Sequence, residues 1–161
     1  MIECSLNPKM INYKLIEHER VEDAPFVGAL ISACDCKFNC KDCFNKHIKQ
    51  IPTISDTPQN IIRKIKANAF NKGIIFAGLE WTLQIEECLC LAKLAKQEGL
   101  QTMIYTGHDG DEILQSLEAS AVFDYIKYGR YIEELKSANH IEYGVVLASS
   151  NQHILKKGVD Y

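Results

Sequence analysis

After residue 25, apolar and polar positions alternate in a way that predicts strands and helices in turn. "PFVGALISA" (25–33) is β-branched and apolar, bounded by Pro25 and by cysteines, and reads as a buried strand. "DTPQNIIRKIKANAF" repeats Ile61, Ile62, Ile65 and Ala69 at helical spacing, behind Thr57 as an N-cap and Pro58 at the first helical position. "GIIFAG" (73–78) predicts a short strand ended by glycine, and "QIEECLCLAKLAKQEG" a helix closed by Gly99. "LQTMIYTG" then predicts a strand, "DGDEILQSLEA" a helix and "AVFDYIKYG" a fourth strand. The flanks are less regular. Residues 1–24, where "INYKLIEHER" alternates loosely, predict a short hairpin, and "YGVVLA" within 141–155 predicts one more strand.

Repeated βα order predicts an α/β fold with a mainly parallel sheet, right-handed crossovers and a ligand site at the strands' C-terminal ends. Each unusual stretch falls at such an end. The cysteines follow the first strand, "AGLEW" the second, "YTGHDG" the third and "YGRY" the fourth. So few strands suffice for only a partial, open (β/α) barrel.

Composition changes the picture in three respects. A chain of 161 residues that is 47% hydrophobic suits a single domain, 1–161, with residues 129–161 as a tail packed on it. A net charge of -3 without runs of like charge gives no footprint for nucleic acid or an anionic membrane. No apolar segment resembles a signal peptide or a membrane span, so the expected location is the cytoplasm. Thiols stay reduced there, and an odd count of seven cysteines also favours ligands over disulfides.

Four of the seven lie in "ACDCKFNCKDCFN" (33–45), and Cys36, Cys40 and Cys43 read C-x3-C-x2-C. That spacing is similar to the signature of the radical S-adenosylmethionine (SAM) superfamily. In it, three thiolates on a tight loop hold a 4Fe-4S cluster and leave its fourth iron open to SAM. A zinc site would more commonly pair two C-x2-C knuckles, and no second knuckle exists. Cys34 reads as a core strand residue; as a fourth ligand it would instead close a structural metal site. Cys88 falls on the apolar stripe Ile85, Cys88, Leu89, Ala92, while Cys90 and Cys4 are assigned no role.

Beyond the cluster, residues from about Tyr13 to Ile154 resemble the radical SAM activating enzymes of anaerobic (class III) ribonucleotide reductase, a glycyl-radical activase family. The resemblance rests on the C-x3-C-x2-C with trailing Phe44 and Asn45, on "FAGLEW", on Tyr105-Thr106-Gly107, and on "YGRYIEEL" with "SSNQHIL". The chain departs from the family at Asp35, Leu79, Trp81 and Tyr128, where the pattern has Gly, Gly, Pro and Asp. A leucine at 79 would resist a positive φ, leaving Gly78 alone to allow close approach of SAM.

The resemblance implies a radical SAM type of open barrel, with Cys36, Cys40 and Cys43 as cluster ligands. It places the backbone around Asp42 and Phe44 beside the adenine side of SAM, Asn45 in the cofactor site, Gly78 and Glu80 at the amino group of SAM, and Tyr105 and Thr106 near ribose or adenine. Phe44 reads alternatively as a core aromatic and Glu80 as a solvated acid; His108 and Asp109 read as helix caps. The implied chemistry is reductive cleavage of SAM to a 5'-deoxyadenosyl radical, with no catalytic side chain beyond the cofactor site. The implied partners are the anaerobic reductase, on which a glycyl radical is generated, and a one-electron donor such as reduced flavodoxin or ferredoxin. The tail either docks the reductase or closes the sheet. Two alternatives stay open: another small radical SAM enzyme with a different protein, peptide or small-molecule substrate, and a non-enzymatic zinc or iron-sulfur module.

Overall fold

A computed structural model describes residues 10–38, 40, 45–115 and 117–161. Its first two strands, β1 (Ile11–Tyr13) and β2 (Ile16–Arg20), do not pair with each other. β2 runs antiparallel to β3 (Gly28–Ser32), with Ile16 opposite Ile31, whereas β1 pairs antiparallel with β4 (Ile54–Asp56). The hairpin expected within 1–24 is thus replaced, over the described residues, by two separate pairings. Its would-be turn, Lys14 and Leu15, is held by β3: Lys14 N–H donates to Ser32 O and Ser32 N–H to Leu15 O, both at 3.0 Å. The chain is drawn along that strand instead of folding back.

Next, α1 (Pro58–Ala67) starts as its sequence predicts, with Thr57 Oγ1 accepting from Asn60 N–H at 3.1 Å. Ile61, Ile62 and Ile65 are buried, but Ala69 lies beyond the helix and is exposed. β5 (Gly73–Ala77), α2 (Ile85–Gln97) and β6 (Gln101–Tyr105) follow. α2 ends in a left-handed cap: Gly99 has φ +80°, its N–H donates to Lys96 O, and Leu100 N–H donates to Ala95 O at 2.9 Å. Both Cys88 and Cys90 are buried on it.

In place of one helix over "DGDEILQSLEA" there are two, α3 (Gly110–Leu114) and α4 (Leu117–Val122). Ile113 and Ala119 are both buried, yet six residues of one straight helix would set them about 120° apart. The break lets both face the core. β7 (Tyr125–Tyr128) completes the parallel set.

The strand expected at "YGVVLA" shrinks to β9 (Val145–Val146), paired with the equally short β8 (Ile141–Glu142). β10 (His153–Lys156) adds to the main sheet instead, antiparallel to β7 with Ile154 opposite Lys127. The order of that sheet is β10-β7-β6-β5-β3-β2, in which β3, β5, β6 and β7 are parallel. It is a mixed α/β fold with a mainly parallel central sheet, whose edges β2 and β10 do not meet in a closed barrel. Among the described residues no helix is long and apolar enough to cross a membrane.

Alternation along the strands sorts the core into two layers. Ile31, Ile74, Phe76, Ile104 and Ile126 pack in one cluster with Ile61, Ile65, Leu91 and Phe123 from the helical side. Ile75, Ala77 and Met103 pack in a second cluster with Phe26, Val145, Leu147 and Ile154. Burying such side chains contributes roughly 1.5–3 kcal/mol each, so the segment after 140 is part of the core. It closes one face and one edge of the sheet.

Candidate metal and cofactor site

The parallel strands end side by side, and the loops that follow them enclose a cleft of about 340 Å³. Cys36, Cys40 and Asn45 come from the loop after β3, Gly78, Leu79 and Glu80 from the loop after β5, and Tyr105, Thr106 and Gly107 from the end of β6. Gly129, Arg130 and Tyr131 after β7 line the fourth side. The sequence-predicted residues Cys36, Cys40, Asn45, Gly78, Glu80, Tyr105 and Thr106 are therefore brought to one cavity. Cys43, Asp42 and Phe44 lie outside the described residues.

The cysteine loop is tied down on both sides. Asp35 Oδ1 accepts from Cys36 N–H at 2.8 Å and lies 3.2 Å from Lys49 Nζ, which also donates to Cys36 O at 3.0 Å. The Cys36 N–H, and then the Lys49 ammonium, hold the exposed Asp35 carboxyl below its usual pKa. Asp35 O accepts from Glu80 N–H at 2.8 Å, joining this loop to the end of β5. Further along, the Phe38 ring meets His108 edge to face at 5.1 Å. A Cβ on Gly107 would lie 2.7 Å from the Phe38 ring, so a glycine at 107 lets the loop sit against β6. His108 also pairs with Glu112 at 2.5 Å, while Asp109 occupies the α3 N-cap without a side-chain capping bond.

At the end of β5 the positive φ falls on Gly78, at +85°, and not on Leu79. A Cβ at Gly78 would lie 2.3 Å from Ser32 Oγ, so this is the close-packed position. Leu79 needs no special backbone conformation and is buried in the helix-side cluster. Trp81 is fully buried, donates its Nε1–H to Ile31 O at 3.0 Å and meets Phe76 edge to face. The indole thereby binds the β5 loop to β3. The departures at 79 and 81 are met by core packing.

Glu80 is 3% exposed, which excludes its reading as a solvated acid. Its Oε1 accepts from Gly107 N–H at 2.8 Å, and its Oε2 accepts from Thr106 Oγ1 at 3.0 Å, Thr82 Oγ1 at 2.7 Å and Thr82 N–H at 3.2 Å. One carboxylate thus clamps the ends of β5 and β6 together. Thr106 is spent on that clamp, since its hydroxyl also accepts from His108 N–H at 3.1 Å. Tyr105 donates its hydroxyl to Asp23 O, and Lys127 Nζ sits 4.8 Å from its ring centroid. Burial, and then Asp23, push the Tyr105 phenol well above its usual pKa, so it stays neutral. Only its ring is left to face a ligand.

The fit to an iron-sulfur cluster rests on Cys36 and Cys40, both half-buried at one cavity. Cys34 is set apart. Its N–H donates to Gln84 Oε1 at 3.0 Å, it does not line the cleft, and burial raises its thiol pKa despite a hydrogen bond with Thr53. Cys34→Ala should accordingly leave the iron content of reconstituted protein unchanged; loss of iron would make Cys34 a ligand after all.

Residues that sequence reasoning did not assign to the site also line the cleft, among them Asp23, Phe38 and Lys127. Phe38 lies inside the C-x3-C spacing, and "YGRY" had already pointed to the loop after β7. Asp23 carried no signal, because the segment before β3 has no motif. No curated protein matches the chain. A family model described as "4Fe-4S single cluster domain" matches residues 27–155, from the approach to β3 to the penultimate residue of β10. The chain belongs to the family of 4Fe-4S single cluster domains.

Proposed function

We propose that this protein is a radical SAM enzyme that activates a glycyl-radical protein, and that the protein it activates is an anaerobic ribonucleotide reductase. The observation that carries the reading is the convergence of Cys36 and Cys40 with Asn45, Gly78, Glu80, Tyr105 and Thr106 on one cleft at the strand ends. A 4Fe-4S cluster held by Cys36, Cys40 and Cys43 would supply an electron for the reductive cleavage of SAM. The protein's own part is placement. Gly78 brings backbone close to the cleft floor, the Glu80 clamp fixes the distance between two loops, and Tyr105 presents a neutral ring face. With a closed set of four thiolates no iron would stay open to SAM, and the position of Cys34 argues against such a set.

The reductase assignment draws its support from "YGRYIEEL" and "SSNQHIL", and a cleft of about 340 Å³ suits a small cofactor beside an open protein surface. A reduced flavodoxin or ferredoxin would serve as donor. The decisive experiment incubates reconstituted, dithionite-reduced protein with SAM in the absence of oxygen. It should release 5'-deoxyadenosine, and adding the reductase should produce a glycyl-radical doublet in electron paramagnetic resonance. No release from protein with a full cluster would overturn the enzymatic reading, whereas release with no radical on the reductase would overturn the partner alone.

A further inference from the structure

The C-terminal segment gathers a second set of metal-binding side chains, unrelated to the cysteines. His140, Glu142 and His153 each place one ligand atom within 4.8 Å of the others. His153 Nδ1 lies 2.7 Å, and His140 Nε2 3.4 Å, from the same oxygen, Glu142 Oε2. The other oxygen, Oε1, accepts from Ile154 N–H at 2.8 Å, which fixes the carboxylate's orientation. The two imidazoles meet edge to face with centroids 5.4 Å apart. All three side chains are half-buried, at 22%, 25% and 42% exposure for His140, Glu142 and His153, so the cluster is neither sealed nor free in solvent.

We propose that His140, Glu142 and His153 bind one divalent transition-metal ion, Zn²⁺ by preference, with solvent completing its shell. The donor set decides the class of ion: two imidazoles and one carboxylate suit zinc and its neighbours, whereas calcium and magnesium favour oxygen alone. The spacing fits as well. Ligand atoms about 2.0–2.1 Å from a tetrahedral zinc stand about 3.3–3.4 Å apart, which the His140–Glu142 pair already satisfies. The His153–Glu142 pair is a hydrogen bond at present and opens by about 0.6 Å when its proton gives way to metal. His140 Nε2 also donates to Gln152 O at 2.7 Å, so binding at Nε2 gives up that hydrogen bond and leaves the ring proton on Nδ1.

Such an ion would fasten the β8–β9 hairpin to β10 beside the cofactor cleft. Gln152, next to His153, lines that cleft; its side chain donates to Gly129 O at 3.2 Å and accepts from Ala148 N–H at 3.0 Å. The proposal does not depend on the radical SAM reading. Its test is zinc titration of the cluster-loaded full-length protein against a chromophoric zinc indicator, with X-ray absorption of the bound zinc. The expected result is one zinc per chain in a nitrogen and oxygen shell without sulfur, bound at least about tenfold more weakly after His140→Ala. Glu142→Gln keeps the acceptor for Ile154 and should retain the melting temperature measured in chelator while losing at least about tenfold in zinc affinity. Absence of binding, a sulfur shell, or affinity unchanged in both variants would overturn the proposal.

Discussion

Alanine at Cys36 or Cys40 should leave anaerobically reconstituted protein with no 4Fe-4S cluster, where the unaltered chain holds about four irons. Three thiolates carry the whole cluster in the C-x3-C-x2-C arrangement, so there is no spare ligand to replace a missing one. Cys34 is not placed to step in, because its backbone is held at Gln84 and it does not line the cleft. The Asp35, Lys49 and Phe38 contacts should keep the emptied loop in place, so secondary structure and melting temperature of the apoprotein should change little. Cys43→Ala is expected to behave identically from the spacing. Iron and sulfide analysis with visible absorption would measure the outcome, and an intact cluster in any of the three variants would refute the ligand set.

Elements with local signals were legible in the sequence. Thr57-Pro58 ahead of Ile61, Ile62 and Ile65 fixed the start and buried face of α1, and Gly99 fixed the end of α2, because caps and periodicity act within a few residues. The βα order gave the parallel sheet, and the strand-end rule put the cleft at the cysteines. What was not legible depends on contacts distant in sequence. Nothing in "INYKLIEHER" shows that Lys14 and Leu15 will bond Ser32, and so the pairing of β1 with β4 and of β2 with β3 was not foreseen. The "YGVVLA" stretch was apolar because Val145 and Leu147 cover a sheet face, which periodicity alone does not separate from strand pairing.

The candidate site shows the same division. Its cysteines announce themselves by spacing, but the environment of Glu80 comes from Thr106 and Gly107, more than twenty residues away. The tail is likewise placed by long-range contacts. With β10 paired to β7 and Ile154 in the core, residues 153–156 add to the sheet, as the sheet-closing alternative for the tail expects.

The clamp predicts a large effect of Glu80→Ala on stability. Four donor bonds end on this carboxylate, from Thr82 N–H, Thr82 Oγ1, Thr106 Oγ1 and Gly107 N–H. Bonds to a charged acceptor contribute roughly 1.5–3 kcal/mol each, but they share one carboxylate and some donors regain water when it is lost. A net cost of about 3 kcal/mol is therefore expected, which for a chain of this size lowers the melting temperature by roughly 6–12 °C. Thermal unfolding of the apoprotein followed by circular dichroism measures that fall directly. SAM affinity of the cluster-loaded protein, measured well below the new melting temperature, separates the two roles open to Glu80. A positioning residue loses stability and keeps most of its affinity, because its oxygens are already occupied by protein donors. A direct ligand of the SAM ammonium would lose about tenfold to a hundredfold in affinity. That loss at an unchanged melting temperature would show that the clamp is not what Glu80 contributes.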